Sequence, residues 1–444
     1  MEPEHQEIID SLSAEDIARR IPINKIVEAI LLKVAVKPGF GWVYAFVSLV
    51  KRLLANISEL YQKMVRRNYN SNYHPDFKPY QVQILHPLQA NRPKVIHAIA
   101  NFATGGSPQL VVDLIEHLGH RYEQEVVVRN NPVPPSFIGQ KIQVYSGLGH
   151  YRELLPYLKK FRPDIIHVHY WNWGDKVWYR HVFEAAQVYG CKIIENINVP
   201  VKPYISPDIS QYVFVSDYVR QEYGHPARPN LTIHPGSNLN LFSRTDLSSI
   251  PNDCIGMVYR LDHHKVDEHS IDVFVKVVRH RRQTKVLIVG GGLYLDQYKR
   301  VVQNAGLSKS FDFTGYVAYT QLPKHYAKFS IFVAPIVQES FGQVGPFAMS
   351  MGIPVVGYKV GALEEILGTD ELLVPPGDSD ALAKLIIDLL DNREWRLRLG
   401  AINRQRAQDH FSVQTMINKY ALLYEHILQE QNSANNTVNA ESRV

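Results

Sequence analysis

Cysteine is almost missing from this chain. Its 444 residues hold two, Cys191 and Cys254, and they form no metal-spaced pair. That argues against a disulfide scaffold or a Cys-based zinc site and fits a reducing compartment. Long apolar runs are lacking too: none approaches the ~18–20 residues that cross a bilayer. The N-terminus starts with acids rather than a basic and then apolar leader, so no secretory signal is read there. The glycine pattern GxGxxG is absent, which leaves a nicotinamide cofactor unsupported. A net charge of +5 is mild, and without a basic-aromatic motif it gives no case for nucleic acid. The expectation is a cytoplasmic protein.

Residues 1–92 differ in texture from the rest of the chain. "IVEAILLKVAV" and "GWVYAFVSLVKRLLANISELYQKMVRR" read as helices parted by Pro38-Gly39. Between Arg19 and Arg67 the bases are Arg19, Arg20, Lys25, Lys33, Lys37, Lys51, Arg52, Lys63, Arg66 and Arg67, against Glu28 and Glu59. Two roles fit this helical extension. One is peripheral contact of residues 19–67 with an anionic membrane face. The other is packing of an apolar stripe on the main body or on a second subunit.

From Pro93 onward β-branched runs alternate with helical stretches. "KVIHAIA", "EVVVRN", "IQVYS", "DIIHVHY", "KIIENIN", "QYVFVS" and "LTIHPG" come first. After the polar "SRTDLSSIPN" come "IGMVYRL", "KVLIVGGG", "FDFTGYV", "IFVAP", "IPVVGY" and "LLVPPG". Such alternation predicts an α/β fold of doubly wound parallel sheets. The expected layout is a first Rossmann-like domain over 93–246 and a second over 247–410. A helix over 411–430 packs back on the first domain, and a disordered polar tail covers 431–444. Ligands of such sheets sit at strand carboxyl ends.

Several segments there carry chemistry. Gly105 and Gly106 in "NFATGGSPQL" allow close backbone approach, or simply make a tight turn. Arg260 and Lys265 in "MVYRLDHHKVDE" suit a diphosphate, or are solvated charges. "QESFGQVGPFAMSMGIPVVGY" sets Glu339 at a strand end before a helix that opens with Gly345-Pro346, a place that binds anions. His169, Trp171 and Trp173 follow a strand and suit a sugar face, or pack as core; Trp178 is read as core. His167 and His169 share a strand face, but metal binding needs further ligands that the sequence does not place nearby. No metal site is expected.

The order Gly-Gly loop, "RL…K", "VGGG", "FTGYV", "ESFG", "MGIPVV", "ELLVPPGD" resembles the retaining GT-B glycosyltransferases of family 4. The resemblance runs from about Lys94 to about Leu428 and is densest in the second half. It implies two Rossmann-like domains facing a cleft. It also implies a metal-independent enzyme, without cofactor, that moves a sugar from a nucleotide-sugar donor to a sugar, glycolipid or small-molecule hydroxyl. Polysaccharide or glycoconjugate biosynthesis is the implied setting. By the same resemblance Glu339 is the acid beside the transferred sugar, and Arg260 and Lys265 hold the diphosphate. Ser340, Phe341, Gly342, Gln343 and Val344 form the phosphate segment, Tyr316 and Val317 meet the base, and Gly105 and Gly106 close on the donor. Two positions depart from the pattern. Phe347 stands where the family has its second, ribose-binding Glu, which makes it a donor-site residue of altered chemistry. Asn198 stands where a histidine contacts the sugar region. A non-catalytic nucleotide- or sugar-binding scaffold is the alternative these departures favour.

Overall fold

The computed structural model describes residues 92–102, 105–130, 144–145, 148–171, 175–246 and 249–441, all in one compact unit. The predicted helical extension over 1–92, apart from its last residue Arg92, lies outside the described residues, as does its proposed membrane contact.

The first sheet is built from β1 (Lys94–Asn101), β2 (Glu123–Asn130), β3 (Val144–Tyr145), β4 (Ile165–Tyr170), β5 (Lys192–Ile197), β6 (Ile209–Phe214) and β7 (Asn230–Thr232). Helices α1 (Gly106–Leu118), α2 (Tyr151–Phe161), α3 (Lys176–Tyr189) and α4 (Asp217–Tyr223) alternate with these strands. The strand order is β3-β2-β1-β4-β5-β6-β7, with every pairing parallel. Runs such as "IIHVHY" in β4 are buried along their whole length, as strands covered on both faces are.

A second sheet repeats the plan. Its strands are β8 (Cys254–Val258), β9 (Lys285–Val289), β10 (Phe311–Phe313), β11 (Ile331–Ala334), β12 (Val355–Tyr358) and β13 (Leu373–Val374). Their order is β10-β9-β8-β11-β12-β13, again all parallel. The accompanying helices are α5 (Asp272–His280), α6 (Leu295–Asn304), α7 (Leu322–Tyr326), α8 (Val344–Ser350), α9 (Leu363–Leu367), α10 (Ser379–Asp391) and α11 (Arg393–His410). Each sheet reverses its winding at its first strand, where β1 parts β2 from β4 and β8 parts β9 from β11. These reversals open crevices at the strand carboxyl ends.

The last helix, α12 (Val413–Glu441), returns to the first sheet. Its Met416, Ile417, Tyr420, Leu423, Tyr424 and Ile427 form one apolar cluster with Val95, Leu110, Leu114, Ile165 and Ile194. The helix runs past Glu430, where the sequence predicts a disordered tail, and reaches Glu441. Once nucleated, a helix adds one hydrogen bond for each further residue fixed, so a polar extension continues it at little cost. Among the described residues no helix is long and apolar enough to cross a membrane.

Candidate active site

The loop after β8 and the loop after β11 meet at the second switch point. The Val337 N–H donates to the Lys265 carbonyl at 2.9 Å and ties the loops together. Lys265 Nζ then reaches Glu339 Oε1 at 2.5 Å. Glu339 is 2 % exposed, and its Oε1 also accepts the Ser340 N–H at 3.0 Å. Its Oε2 is buried without a hydrogen-bond partner. A buried carboxylate oxygen in that state is a ready acceptor for a hydroxyl or ammonium donor. Gly342 allows this packing. Its φ is +76°, and a Cβ there would lie 2.5 Å from the Glu339 carboxyl carbon.

The other donor-side residues lie on the loops that follow β8, β9 and β10. Arg260 is more than half exposed, with Nη1 3.6 Å from Asp262 Oδ2. The exposed Tyr316 ring lies against Gly291, and Val317 beside it is half-buried. The Gly290 N–H donates to the Gly315 carbonyl at 2.9 Å, which holds the "GGG" and "TGYV" loops side by side.

Four residues of the second domain, Gln343, Ser340, Phe341 and Glu365, meet the first domain here. Gln343 Nε2 donates to the Gly236 carbonyl at 2.7 Å, while its Oε1 would lie 3.0 Å from a Cβ on Gly106. Gly105, the residue before α1, stands next to that contact. Ser216 Oγ donates to the Ser340 carbonyl at 2.5 Å. The Phe341 ring stacks on His234, with centroids 5.3 Å apart, and meets Phe411 edge-on. Glu365 takes His234 Nε2 at 2.5 Å and accepts the Asp217 and Tyr218 amides that open α4. Sequence reasoning missed Ser216, His234 and Glu365. Only the helix-capping Ser216-Asp217 dipeptide carries a local signal.

Phe347 turns away from this polar pocket. Its ring is 4 % exposed and lies parallel to Phe242, with centroids 4.0 Å apart. Tyr319 and Tyr326 meet it edge-on. Phe347 is expected as a donor-site residue in place of a ribose-binding acid; in this conformation its ring serves as core and offers a ligand almost no surface. Val344, at the start of α8, gives its carbonyl to the Tyr326 hydroxyl at 3.0 Å.

On the acceptor side, Trp171 is half-buried. Its Nε1 donates to Asp175 Oδ2 at 3.3 Å, and its ring meets Tyr179 edge-on. Trp173 lies outside the described residues. Trp178 is buried and donates to the Leu148 carbonyl at 2.8 Å. Asn198 exchanges hydrogen bonds with Asn196, accepting its Nδ2 at 2.8 Å. His169 is fully buried, with Nε2 3.1 Å from His97 Nδ1. It therefore meets no sugar in this conformation. His97 also overturns the argument that His167 and His169 lack further ligands. It comes from β1, which pairs with β4 so that His97 stands opposite His167.

One buried acid faces the other domain. Asp113 on α1 is pushed up to about 7, chiefly by desolvation and against the bond from Gln109 Nε2. It acts electrostatically on Tyr319, whose hydroxyl burial pushes well up.

Residues 250–406 match the sequence model described as Glycosyl transferases group 1. The chain is 29% identical over 179 residues to 2-deoxystreptamine glucosyltransferase of Streptomyces kanamyceticus, covering 40% of this chain and 46% of that protein. It is 26% identical over 231 residues to a GDP-mannose-dependent alpha-(1-6)-phosphatidylinositol monomannoside mannosyltransferase of Mycobacterium tuberculosis, covering 47% and 60%. The chain thus spans about half the length of these curated relatives. Among solved structures, sucrose-phosphate synthase of Thermosynechococcus elongatus superposes with a TM-score of 0.63 at 21% identity, over 76% of this chain and 100% of that one. HepE of Anabaena, solved with UDP and glucose, gives 0.63 at 18% identity, over 76% and 100%. The fold is GT-B.

Proposed function

We propose that this protein is a retaining glycosyltransferase that moves a sugar from a nucleotide-sugar donor to a hydroxyl acceptor, in polysaccharide or glycolipid synthesis. The observation that carries the reading is the pair of buried Glu339 and partly exposed Lys265, one carboxylate oxygen unpartnered, at the switch point of the second sheet. Relatives that use GDP-mannose and a neighbour solved with UDP agree with such a donor.

In this reading Lys265 and Arg260 take the diphosphate. Arg260 needs only to swing from Asp262, since its guanidinium is largely in solvent. When the diphosphate draws Lys265 away, Glu339 is freed to hold the sugar. As the bond from sugar C1 to the phosphate oxygen breaks, negative charge grows on the leaving group, where fixed cations stabilise it without rearrangement. The acceptor oxygen bonds to C1 on the same face, and its proton passes to a leaving phosphate oxygen. No metal is needed for these steps, so added Mg2+ or Mn2+ leaves the rate unchanged. Tyr316 and Val317 are assigned to the base, and Trp171 and Asn198 to the acceptor side.

A non-catalytic scaffold is the second reading, and the packing of Phe347 is what favours it. The test is release of nucleoside diphosphate from a panel of UDP-, GDP- and ADP-sugars, alongside thermal shift with the free diphosphates. Turnover that Glu339→Gln abolishes while diphosphate binding persists supports the transferase. Binding without turnover for every donor supports the scaffold, and absence of both defeats the donor site.

A further inference from the structure

The first sheet holds a polar constellation that glycosyl transfer does not use. His97 from β1 and His167 and His169 from β4 point to one face, because paired residues and residues two apart on a strand share a side. All three are fully buried. One ring nitrogen of each lies within 4.8 Å of the others.

The outward contacts of His97 and His167 match those of metal-ligating histidines, whose far nitrogens bond to second groups that fix the ring. His97 Nε2 meets Gln124 Oε1 at 2.9 Å, and His167 Nδ1 meets the Tyr424 hydroxyl at 2.8 Å. Two buried ring nitrogens are under-satisfied. His167 Nε2 and His169 Nδ1 are buried without hydrogen-bond partners. His97 Nδ1 and His169 Nε2 share a hydrogen bond of 3.1 Å, which a cation held by both would replace. Two nitrogens bound at ~2.0–2.1 Å in tetrahedral geometry lie ~3.3 Å apart, so this edge is already near ligand spacing.

We propose that His97, His167 and His169 bind a late first-row divalent cation, Zn2+ foremost, as a structural site inside the first domain. Imidazole suits such ions, and three ligands leave a fourth position for water or the nearby Asn196 amide. The site lies under α12: Tyr424 bonds His167, and Tyr420 donates to Asn196 Oδ1 at 2.5 Å. A bound ion would therefore fasten β1, β4 and the C-terminal helix to one another.

The test uses the full chain, stripped with chelator and dialysed against Zn2+ alone or Co2+ alone. The expected result is about one ion per chain, a tetrahedral Co2+ visible spectrum and a raised melting temperature. His97→Gln and His169→Gln should each lose the ion, whereas His120→Gln, at an exposed position, should keep it. Tyr424→Phe preserves the ring packing and should weaken affinity roughly tenfold or more, as loss of an outer-shell partner does. X-ray absorption on the wild type decides the matter if the histidine variants do not fold: two or three imidazole ligands support the site. Less than about a tenth of an ion per chain overturns it, as does binding that survives in both His variants or an ion with fewer than two imidazoles. Metal-free protein with the same melting temperature in chelator leaves a hydrogen-bonded histidine cluster with buried water and likewise ends the proposal.

Discussion

Lys265 and Glu339 hold each other in place, and they differ in what each loses by substitution. Lys265→Ala leaves a carboxylate that is 2 % exposed without its cation. Removing one partner of a buried pair costs about 3–5 kcal/mol, so this variant should melt well below the wild type and also lose diphosphate affinity. Glu339→Gln keeps an acceptor oxygen for the Ser340 amide and for Lys265. It should melt within a few degrees of the wild type, bind nucleoside diphosphate as before and transfer no sugar. Calorimetry and a turnover assay on the two variants check this. Equal melting temperatures would mean that the pair is solvated. Asp113 gives a second residue-scale outcome. Its folded value of about 7 lies above the ordinary 3.8, so the native state binds its proton more tightly. Stability from this group is complete below pH ~4, falls as pH rises to ~7 and is flat above. Asp113→Asn keeps an acceptor for Gln109 and cannot ionise. It should raise stability at pH 8 by up to about 4 kcal/mol and leave it unchanged at pH 4. Urea melts at the two pH values measure the difference.

Helix α8 shows how an element decides a side chain's role. Its seven residues begin beside the Glu339 loop, and six of them are buried. Phe347 belongs to the buried face, stacked on Phe242, and the Ser350 hydroxyl clamps the Phe242 carbonyl at 2.7 Å. Phe347→Ala should therefore destabilise by about 3–5 kcal/mol. Phe347→Glu should do at least as much harm, because a carboxylate would replace a ring in an aromatic cluster. A sequence-level argument expects that Glu to restore ribose recognition, whereas the packing predicts an unstable protein. Denaturant melts of both variants separate these outcomes, and a Phe347→Glu protein of wild-type stability would show that the pocket admits a charge. The neighbouring segment was easier to read. "QESFGQVGP" displays its strand end, turn and helix start locally. The contact of Gln343 with Gly236 and Gly106 is invisible there, since those partners lie more than a hundred residues earlier, in the first domain.

At the scale of the molecule, α12 binds the two ends of the fold together. Deleting residues 413–444 would bare Val95, Leu110, Leu114, Ile165 and Ile194, a continuous apolar face of the first sheet. The truncated chain should aggregate or bind a hydrophobic dye strongly, as a large exposed apolar patch does. A soluble, dye-silent truncation would show that this helix is dispensable. The sequence by itself determined the strands, because β-branched runs bounded by glycine and proline favour pleated, fully buried segments whatever surrounds them. It also determined the two parallel sheets, since alternating strands and helices have few other ways to bury both faces. The loops bearing Arg260, Lys265 and Glu339 were legible for the same reason: each directly follows such a strand. Tertiary structure alone decided which side chains meet. Lys265 lies 74 residues from Glu339, and His97 lies 72 from His169, and no local spacing encodes either approach. It also decided that Phe347 packs rather than binds, because the room for its ring is supplied by Phe242, Tyr319 and Tyr326 from other segments. Periodicity and turn chemistry are properties of neighbours along the chain, whereas burial and partnership depend on strand order and on how the helices fall across the sheets.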